Sequence, residues 1–264
     1  MLGAVIGDII GSPYEFHNIK RKDFDLFCDK CCFTDDTILT CAVADWLLSD
    51  KKPEEVLKKW GNLYKNRTYE NGKAGAFGKG FTTWLETGKP YAAKTNGCVM
   101  RLSPVPLMIN DLKRAMDKAV ALTSITHNHA ESIQATKAYI ETMYMAKKGI
   151  DAAIIKNYVG TKYGYDLSKS VDEIRPNYNK FYASCKNSVP QAIICALDAT
   201  SYEDAIRNAV SLGGDSDTLA CMAGGIAEVR FGVPESIKNQ AVKYMDKRVL
   251  NVIDRFYQKV QSRE

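Results

Sequence analysis

The sequence lacks a long apolar segment: no stretch approaches the roughly 18 uncharged, apolar residues that a transmembrane helix needs. Its first residues contain no basic segment, and Asp8 interrupts the apolar run that they form. A secretory signal peptide is therefore not expected. We predict a protein that does not enter a membrane and that resides in the cytoplasm.

Strand patterns are also missing. No run of about four to eight Val, Ile, Thr or aromatic residues alternates with polar ones between turn signals, and the spacing of βαβ units is absent. Helical periodicity dominates instead. We predict an all-α fold, a single compact multi-helix domain over residues 1–264. Helices are expected over residues 38–48, 53–64, 112–126, 130–148, 152–163, 189–199, 202–211, 217–231 and 234–260.

Histidine is scarce, with three residues in the chain. There is no Gly-x-Ser-x-Gly elbow and no Cys/His pairing, which argues against a covalent serine or cysteine hydrolase.

The eight cysteines do not resemble a disulfide framework in a chain of this size. Cys28, Cys31 and Cys32 offer half of a zinc site, but no second Cys or His pair follows at zinc spacing. Reduced thiols are the expectation.

The charge of the chain is only mildly positive, at +5. This value suits an anionic substrate but is too small to indicate nucleic-acid binding. A monomer without a nucleic-acid or membrane partner is expected.

Two acidic clusters stand where predicted helices begin: Thr34-Asp35-Asp36 and Asp215-Ser216-Asp217-Thr218. Each cluster has a purely structural explanation. Thr and Asp side chains cap helix N-termini, and a negative Asp interacts favourably with the positive end of the helix dipole. If both helix starts converge, however, four carboxylates meet in one pocket, which is costly without cations. Ligands that are all oxygen select Mg²⁺, Mn²⁺ or Ca²⁺ over zinc or copper.

Two other interpretations of the second cluster fail. An EF-hand loop starting at Asp215 would have Leu219 and Ile226 at positions that need oxygen ligands. An aspartyl phosphatase motif would follow a buried strand, whereas two glycines precede Asp215. The pair of clusters therefore favours a hard-cation site.

Weaker candidates lie elsewhere. Glu15 follows a turn signature and could place a carboxylate near the cations. The glycine-rich run 72–80 could let backbone amides approach a phosphate, although it does not match P-loop spacing and a flexible loop is an equal alternative. The turn 96–101 could place Asn96 or Arg101 beside a ligand, and His127 could bind one. Structural roles are the competing explanation for each.

Six short motifs in this order resemble the ADP-ribosylglycohydrolase family, which includes dinitrogenase reductase-activating glycohydrolase. They are GAVIGD at 3–8 with PYEF at 13–16, FTDDT at 33–37, NGCVMR at 96–101, TH at 126–127, SVP at 188–190, and GGDSDT at 213–218 with GG at 224–225. The resemblance covers nearly the whole chain. The segment 91–95, YAAKT, departs from the glycine- and serine-rich run common in the family.

The resemblance implies an all-α domain around two divalent cations, Mg²⁺ or Mn²⁺. It implies metal ligation by Thr34, Asp35, Asp36, Asp215, Asp217 and Thr218. It also implies that Asn96, Gly97, Arg101 and His127 line an ADP-ribose cleft. The catalytic candidates are Asp35 or Asp36 as the base, with Glu15 gating or positioning.

The activity implied by the resemblance is hydrolysis of the bond between the anomeric carbon of ADP-ribose and an acceptor. The expected partner is an ADP-ribosylated protein, with arginine as the acceptor, or an ADP-ribosyl small molecule. Two alternatives stay open. One is a metal-dependent hydrolase of another ADP-ribosyl metabolite or nucleobase adduct, and the other is a member that binds ADP-ribose without catalysis.

Overall fold

Helices account for almost all regular structure in the computed structural model, which describes residues 1–68 and 75–263. The helices are α1 (Leu2–Gly11), α2 (Asp35–Leu47), α3 (Pro53–Tyr64), α4 (Lys79–Thr87), α5 (Pro104–Met108), α6 (Leu112–Ser124), α7 (Ala130–Lys147), α8 (Ala152–Tyr163), α9 (Val171–Ile174), α10 (Cys185–Leu197), α11 (Tyr202–Leu212), α12 (Ser216–Phe231), α13 (Glu235–Ala241) and α14 (Lys247–Gln261). Isolated β-bridges join Tyr91 to His127 and Thr95 to Ser184, and no residue of the described ranges belongs to a β-strand. The all-α prediction is confirmed.

The helices missed by the sequence analysis lack a readable amphipathic pattern. In α1 every residue from Gly3 to Gly11 is buried, so no polar face marks the helical period. The helices α5 and α9 have five and four residues, too few for a periodic signal. The fourth missed helix, α4, begins inside the glycine-rich run.

The single helix predicted over residues 234–260 is wrong, because the chain breaks between α13 and α14. Met245 adopts an extended conformation, with φ −106° and ψ 137°. Asp246 then caps α14, where its Oδ1 accepts hydrogen bonds from the amides of Arg248 and Val249, both at 2.9 Å. A side-chain cap of this kind starts a new helix rather than continuing an old one.

The centre of the fold is an antiparallel contact between α1 and α12. Gly3, Gly7 and Gly11 lie one turn apart and so share one face of α1. A Cβ atom built on Gly7 would lie 2.1 Å from the carbonyl oxygen of Ala220, and one built on Gly11 would lie 2.6 Å from Asp217 Cα. The two backbones are therefore in direct contact, at a distance that only glycine allows.

This contact places three helix ends together. The C-terminal end of α1 meets the beginning of α12, and Asp8 of α1 reaches the beginning of α2. Asp8 accepts hydrogen bonds from the amide and hydroxyl of Thr34, at 2.9 and 2.7 Å, and from the amide of Thr37, at 3.1 Å. Both acidic clusters of the sequence are thus brought to one side of the core.

Among residues 1–68 and 75–263, no helix is both long enough and apolar enough to cross a membrane.

We expect Gly7→Ala to lower the free energy of unfolding by about 3 kcal/mol or more, because the new methyl group would overlap the Ala220 carbonyl and separate α1 from α12. Urea denaturation followed by circular dichroism measures this value. Gly78→Ala is the control, since a Cβ at Gly78 meets nothing within 4 Å, and its effect should stay below about 1 kcal/mol. Equal stability of both variants would contradict this account of the helix contact.

Candidate metal centre

Two groups of three carboxylates meet where α1, α2 and α12 converge. Oxygen atoms of Asp8, Asp36 and Asp217 all lie within 4.8 Å of one another, as do oxygen atoms of Glu15, Asp215 and Asp217. We call these groups the inner trio and the outer trio. Asp217 belongs to both groups, so the inner and outer trios share one carboxylate.

The inner trio is buried. Asp8, Asp36 and Asp217 are 0%, 1% and 3% exposed. Burial, followed by the nearby charges of Asp8, Asp35 and Asp215, raises the pKa of Asp36 well above its usual range. Burial, followed by the charge of Glu15, does the same to the pKa of Asp217. Without a positive ion, this geometry disfavours the charged form of both carboxylates.

One oxygen atom of the inner trio lacks a hydrogen bond. Among the described residues, Asp36 Oδ1 has no partner although it is buried. Asp36 Oδ2 is close to the hydroxyls of Thr34 and Thr218, at 3.3 and 3.2 Å. A buried carboxylate oxygen without a donor is costly, and a hard cation that binds oxygen ligands would satisfy it. The residues present therefore fit a divalent cation.

Asp8 was missed as a site residue. It accepts hydrogen bonds from Thr34 and Thr37 and thereby fixes the N-terminal turn that carries Asp35 and Asp36. The available signal was a carboxylate inside an apolar helical run. In the sequence, Asp8 served only as evidence against a signal peptide.

The two acidic clusters differ in how far they act as helix caps. Thr34 is a true cap, because its hydroxyl accepts from the amide of Asp36 at 3.3 Å. Asp215 stands at the corresponding position of α12 but makes no side-chain capping bond. It instead accepts a hydrogen bond from Asn96 Nδ2 at 2.7 Å. Capping thus explains the first cluster in part, and it does not explain Asp215.

A cleft of about 440 Å³ opens above the carboxylates, a size suited to a small-molecule ligand. Its floor contains Glu15, Asp35, Asp36, Asp215, Asp217 and Thr218, and its walls include Ala76–Phe81, Tyr91, Thr95–Gly97, Met100, His127, Phe181 and Ala183. Of the glycine-rich run 72–80, residues 72–74 lie outside the described residues. The part from Ala76 onward borders the cleft.

His127 is held in the cleft wall by two threonines. Its Nε2 lies 2.9 Å from Thr95 Oγ1, and its Nδ1 lies 2.9 Å from Thr126 Oγ1. Burial, and then the charge of Arg101, lowers the pKa of His127 to about 3. His127 is therefore neutral at physiological pH, with one ring nitrogen donating and the other accepting.

Arg101, which the sequence predicts to bind substrate, lies behind the residues that border the cleft. Its side chain is fully buried and lies behind His127, where Nη2 donates to Thr126 Oγ1 at 2.7 Å. The turn that contains Asn96 exposes Asn96 and Gly97 to the cleft and directs Arg101 into the core. Arg101 therefore supports the wall that carries His127.

Comparisons of this chain with known families, proteins and structures all find ADP-ribosylglycohydrolases or ADP-ribosylhydrolases. The family model described as ADP-ribosylglycohydrolase matches residues 1–264. The chain is 24% identical to the ADP-ribosylarginine hydrolase Tri1 of Pseudomonas putida (strain GB-1), over 97% of this chain and 77% of that protein. It is also 24% identical to the ADP-ribosylhydrolase ARH3 of Bos taurus, over 98% and 92% of the two chains.

A solved structure titled "ADP-ribosylglycohydrolase-related protein complex" has the same fold. The TM-score is 0.73 at 18% identity, and the match covers 98% of this chain and 95% of that one.

We expect Asp217→Asn to weaken Mn²⁺ binding at least about 100-fold, because it removes the carboxylate that both trios share. Without metal, the same variant should be as stable as the parent or more stable, because one buried negative charge is lost. Calorimetric titration and thermal unfolding measure the two effects. Asp254→Asn, a change of an exposed carboxylate on α14, should alter neither. Unchanged Mn²⁺ affinity in Asp217→Asn would refute the assignment.

His127 should contribute to the loss of stability at acidic pH. A group whose pKa is lower in the folded state opposes folding once the unfolded chain takes up its proton. Stability should therefore fall as pH decreases below about 6.5, by about 2 kcal/mol at pH 5 from this residue alone. Urea denaturation at pH 7.5 and pH 5 should show a smaller loss for His127→Gln than for the parent. Equal losses would show that His127 is not kept neutral by the fold.

Proposed function

The chain belongs to the ADP-ribosylglycohydrolase family, and on that basis we propose that it hydrolyses the bond between ADP-ribose and an acceptor, with arginine side chains of proteins as the acceptor. The observation that carries this proposal is the pair of carboxylate trios sharing Asp217 at the floor of a cleft. Such a floor binds cations, and the cleft above it has room for a small-molecule ligand.

We propose that two divalent cations, Mg²⁺ or Mn²⁺, are held by the residues at the starts of α2 and α12. These residues are Thr34, Asp35, Asp36, Asp215, Asp217 and Thr218. The shared Asp217 supports two positions rather than one, and the donor set, which is all oxygen, supports hard cations. When bound, such ions supply electrostatic stabilisation to an oxygen-rich substrate and lower the pKa of bound water.

Asp35 is the better placed of the two candidate bases. Asp36 is almost fully buried, whereas Asp35 is half-buried in the first turn of α2 and borders the cleft. A general base must reach a water molecule next to the substrate. We therefore assign proton abstraction to Asp35, in addition to its ligand role, and a ligand role alone to Asp36.

Glu15 lies at the edge of the same floor. It directly follows the 3₁₀ helix Ser12–Tyr14 and belongs to the outer trio with Asp215 and Asp217. From this position its carboxylate can orient the leaving acceptor or the attacking water, in keeping with a gating or positioning role.

The walls of the cleft provide groups for the rest of the substrate. Asn96 and Gly97 form the 3₁₀ turn beside Asp215, and neutral His127 offers its ring next to them. At the opposite wall, α4 begins at Lys79 after Gly78, with no side-chain cap. Free backbone amides at a helix start, together with a lysine, favour phosphate groups. This arrangement supports a diphosphate-containing ligand.

Arginine as the acceptor is supported by the similarity of this chain to a protein named ADP-ribosylarginine hydrolase.

The test compares peptides that carry ADP-ribose on arginine and on serine. With Mn²⁺, the parent protein should release ADP-ribose from the arginine peptide with the larger kcat/KM, and excess EDTA should abolish release. Asp35→Ala and Asp217→Ala should each lower kcat/KM at least about 100-fold while circular dichroism stays unchanged. Asp254→Asn is the matched control and should keep full activity.

Each contrary result identifies a different alternative. Full activity in EDTA or in either Asp→Ala variant would contradict metal-dependent hydrolysis. Release only from ADP-ribosylated nucleobases or free metabolites would favour the alternative substrate class. Tight ADP-ribose binding without release from any substrate would favour a non-catalytic member.

A further inference from the structure

The segment that connects α1 to α2 contains three of the eight cysteines: Cys28, Cys31 and Cys32. Cys28 and Cys32 are half-buried and Cys31 is buried. The Sγ atoms of Cys28 and Cys31 lie 3.8 Å apart. The amide of Cys31 donates to the carbonyl of Cys28 at 2.9 Å, and the amide of Cys28 lies 3.3 Å from Cys31 Sγ. These contacts hold the two thiols together in a tight turn.

These cysteines do not assemble a zinc site. Among residues 1–68 and 75–263, the groups of three or more metal-binding side chains within 4.8 Å are the two carboxylate trios. Cys32 therefore does not join Cys28 and Cys31 at the spacing that a metal ion needs. Zinc thiolate sites require four ligands around one ion, so the pair calls for another explanation.

A second pair of thiols in the same chain provides an internal comparison. Cys98 and Cys185 also lie 3.8 Å apart, Sγ to Sγ. Both are fully buried, beneath the turn that carries Asn96. The two pairs have the same sulfur separation and differ in access to solvent. Reaction with a dissolved oxidant requires an accessible thiol.

We propose that Cys28 and Cys31 form a redox-active dithiol that reacts by thiol–disulfide exchange with small-molecule disulfides, whereas Cys98 and Cys185 stay reduced. The proposal rests on the matched separations and on the half-buried position of Cys28. It does not depend on the proposed hydrolase activity.

The reaction proceeds in two exchanges. The Cys28 thiolate attacks one sulfur of a disulfide RSSR, which forms a mixed disulfide at Cys28 and releases RS⁻. The Cys31 thiolate then attacks Cys28 Sγ, which closes the Cys28–Cys31 bond and releases the second RS⁻. The dithiol loses two electrons, and RSSR gains them. The two thiol protons leave with the two RS⁻ ions as RSH.

Cys28 is the thiol that begins the exchange. Cys31 is less exposed, and burial raises the pKa of its thiol to about 12, so little thiolate forms there at neutral pH. Cys31 instead acts second, because Cys28 Sγ is its immediate neighbour.

The position of the dithiol links it to the cleft floor. The amide of Cys32 donates to Ser12 Oγ at 3.0 Å, in the 3₁₀ turn that leads to Glu15. Two residues after Cys32, Thr34 begins the cap of α2. The Cys28–Cys31 bond would therefore form in the segment that joins the two parts of the floor.

The test treats the reduced, full-length protein with glutathione disulfide, alkylates the remaining thiols after denaturation, and maps the products by mass spectrometry. The Cys28–Cys31 disulfide should form at least about tenfold faster than any Cys98–Cys185 disulfide. Cys31→Ser should retain a glutathione adduct at Cys28, since the second exchange is blocked. Cys28→Ser should acquire no adduct at Cys31, and Cys32→Ser should react like the parent.

Three results would overturn the proposal: closure of Cys98–Cys185 at an equal or greater rate, disulfide formation through Cys32 in the parent, or no adduct at Cys28 in Cys31→Ser. Circular dichroism of each variant before oxidation checks that the comparison uses folded protein. Because every readout is a mass, failure of this proposal is distinct from failure of the proposed hydrolysis.

Discussion

The close approach of α1 to α12 is the constraint on which the site depends. Glycines at one face of α1 let its backbone touch that of α12, and this contact fixes where the end of one helix meets the start of the other. Asp8 and Asp217 are neighbours for that reason, and Asp8 in turn orients the first turn of α2. A wider spacing between α1 and α12 would separate the carboxylates that form the inner trio.

The same packing that creates the site also works against the stability of the chain. Burial, and then the charges of neighbouring carboxylates, raises the pKa of Asp36 and of Asp217 and favours their neutral forms, and each charge retained costs free energy. With a cation bound, the charged carboxylates would stabilise the folded chain instead of destabilising it. In such an arrangement ligand binding and folding are linked, because an ion that binds only the folded chain stabilises it by mass action.

Much of the fold could be predicted from periodicity, since α3, α6, α7, α8 and α11 carry amphipathic or capped patterns of adequate length. The buried helix α1 could not, because it has no polar face. Composition and electrostatics indicated what the two acidic clusters would form if they converged, but their convergence itself depends on how α1, α2 and α12 pack. The buried position of Arg101 could not be predicted, because the direction of a side chain leaving a short turn depends on the packing around it, which no local pattern encodes. The role of Asp8 could not be predicted either, because it depends on which helix ends meet in the fold.

The pairing of α1 with α12 also determines when the core can fold during synthesis of the chain. Gly11 and Ser216 are in contact although they lie 205 positions apart in the chain, so α1 cannot complete its packing until α12 has been synthesised. Until α12 leaves the ribosome, the glycine face of α1 has no partner, and its apolar surface is open to chaperones. A nascent chain stalled before α12 would therefore contain the first acidic cluster but neither of the two carboxylate trios.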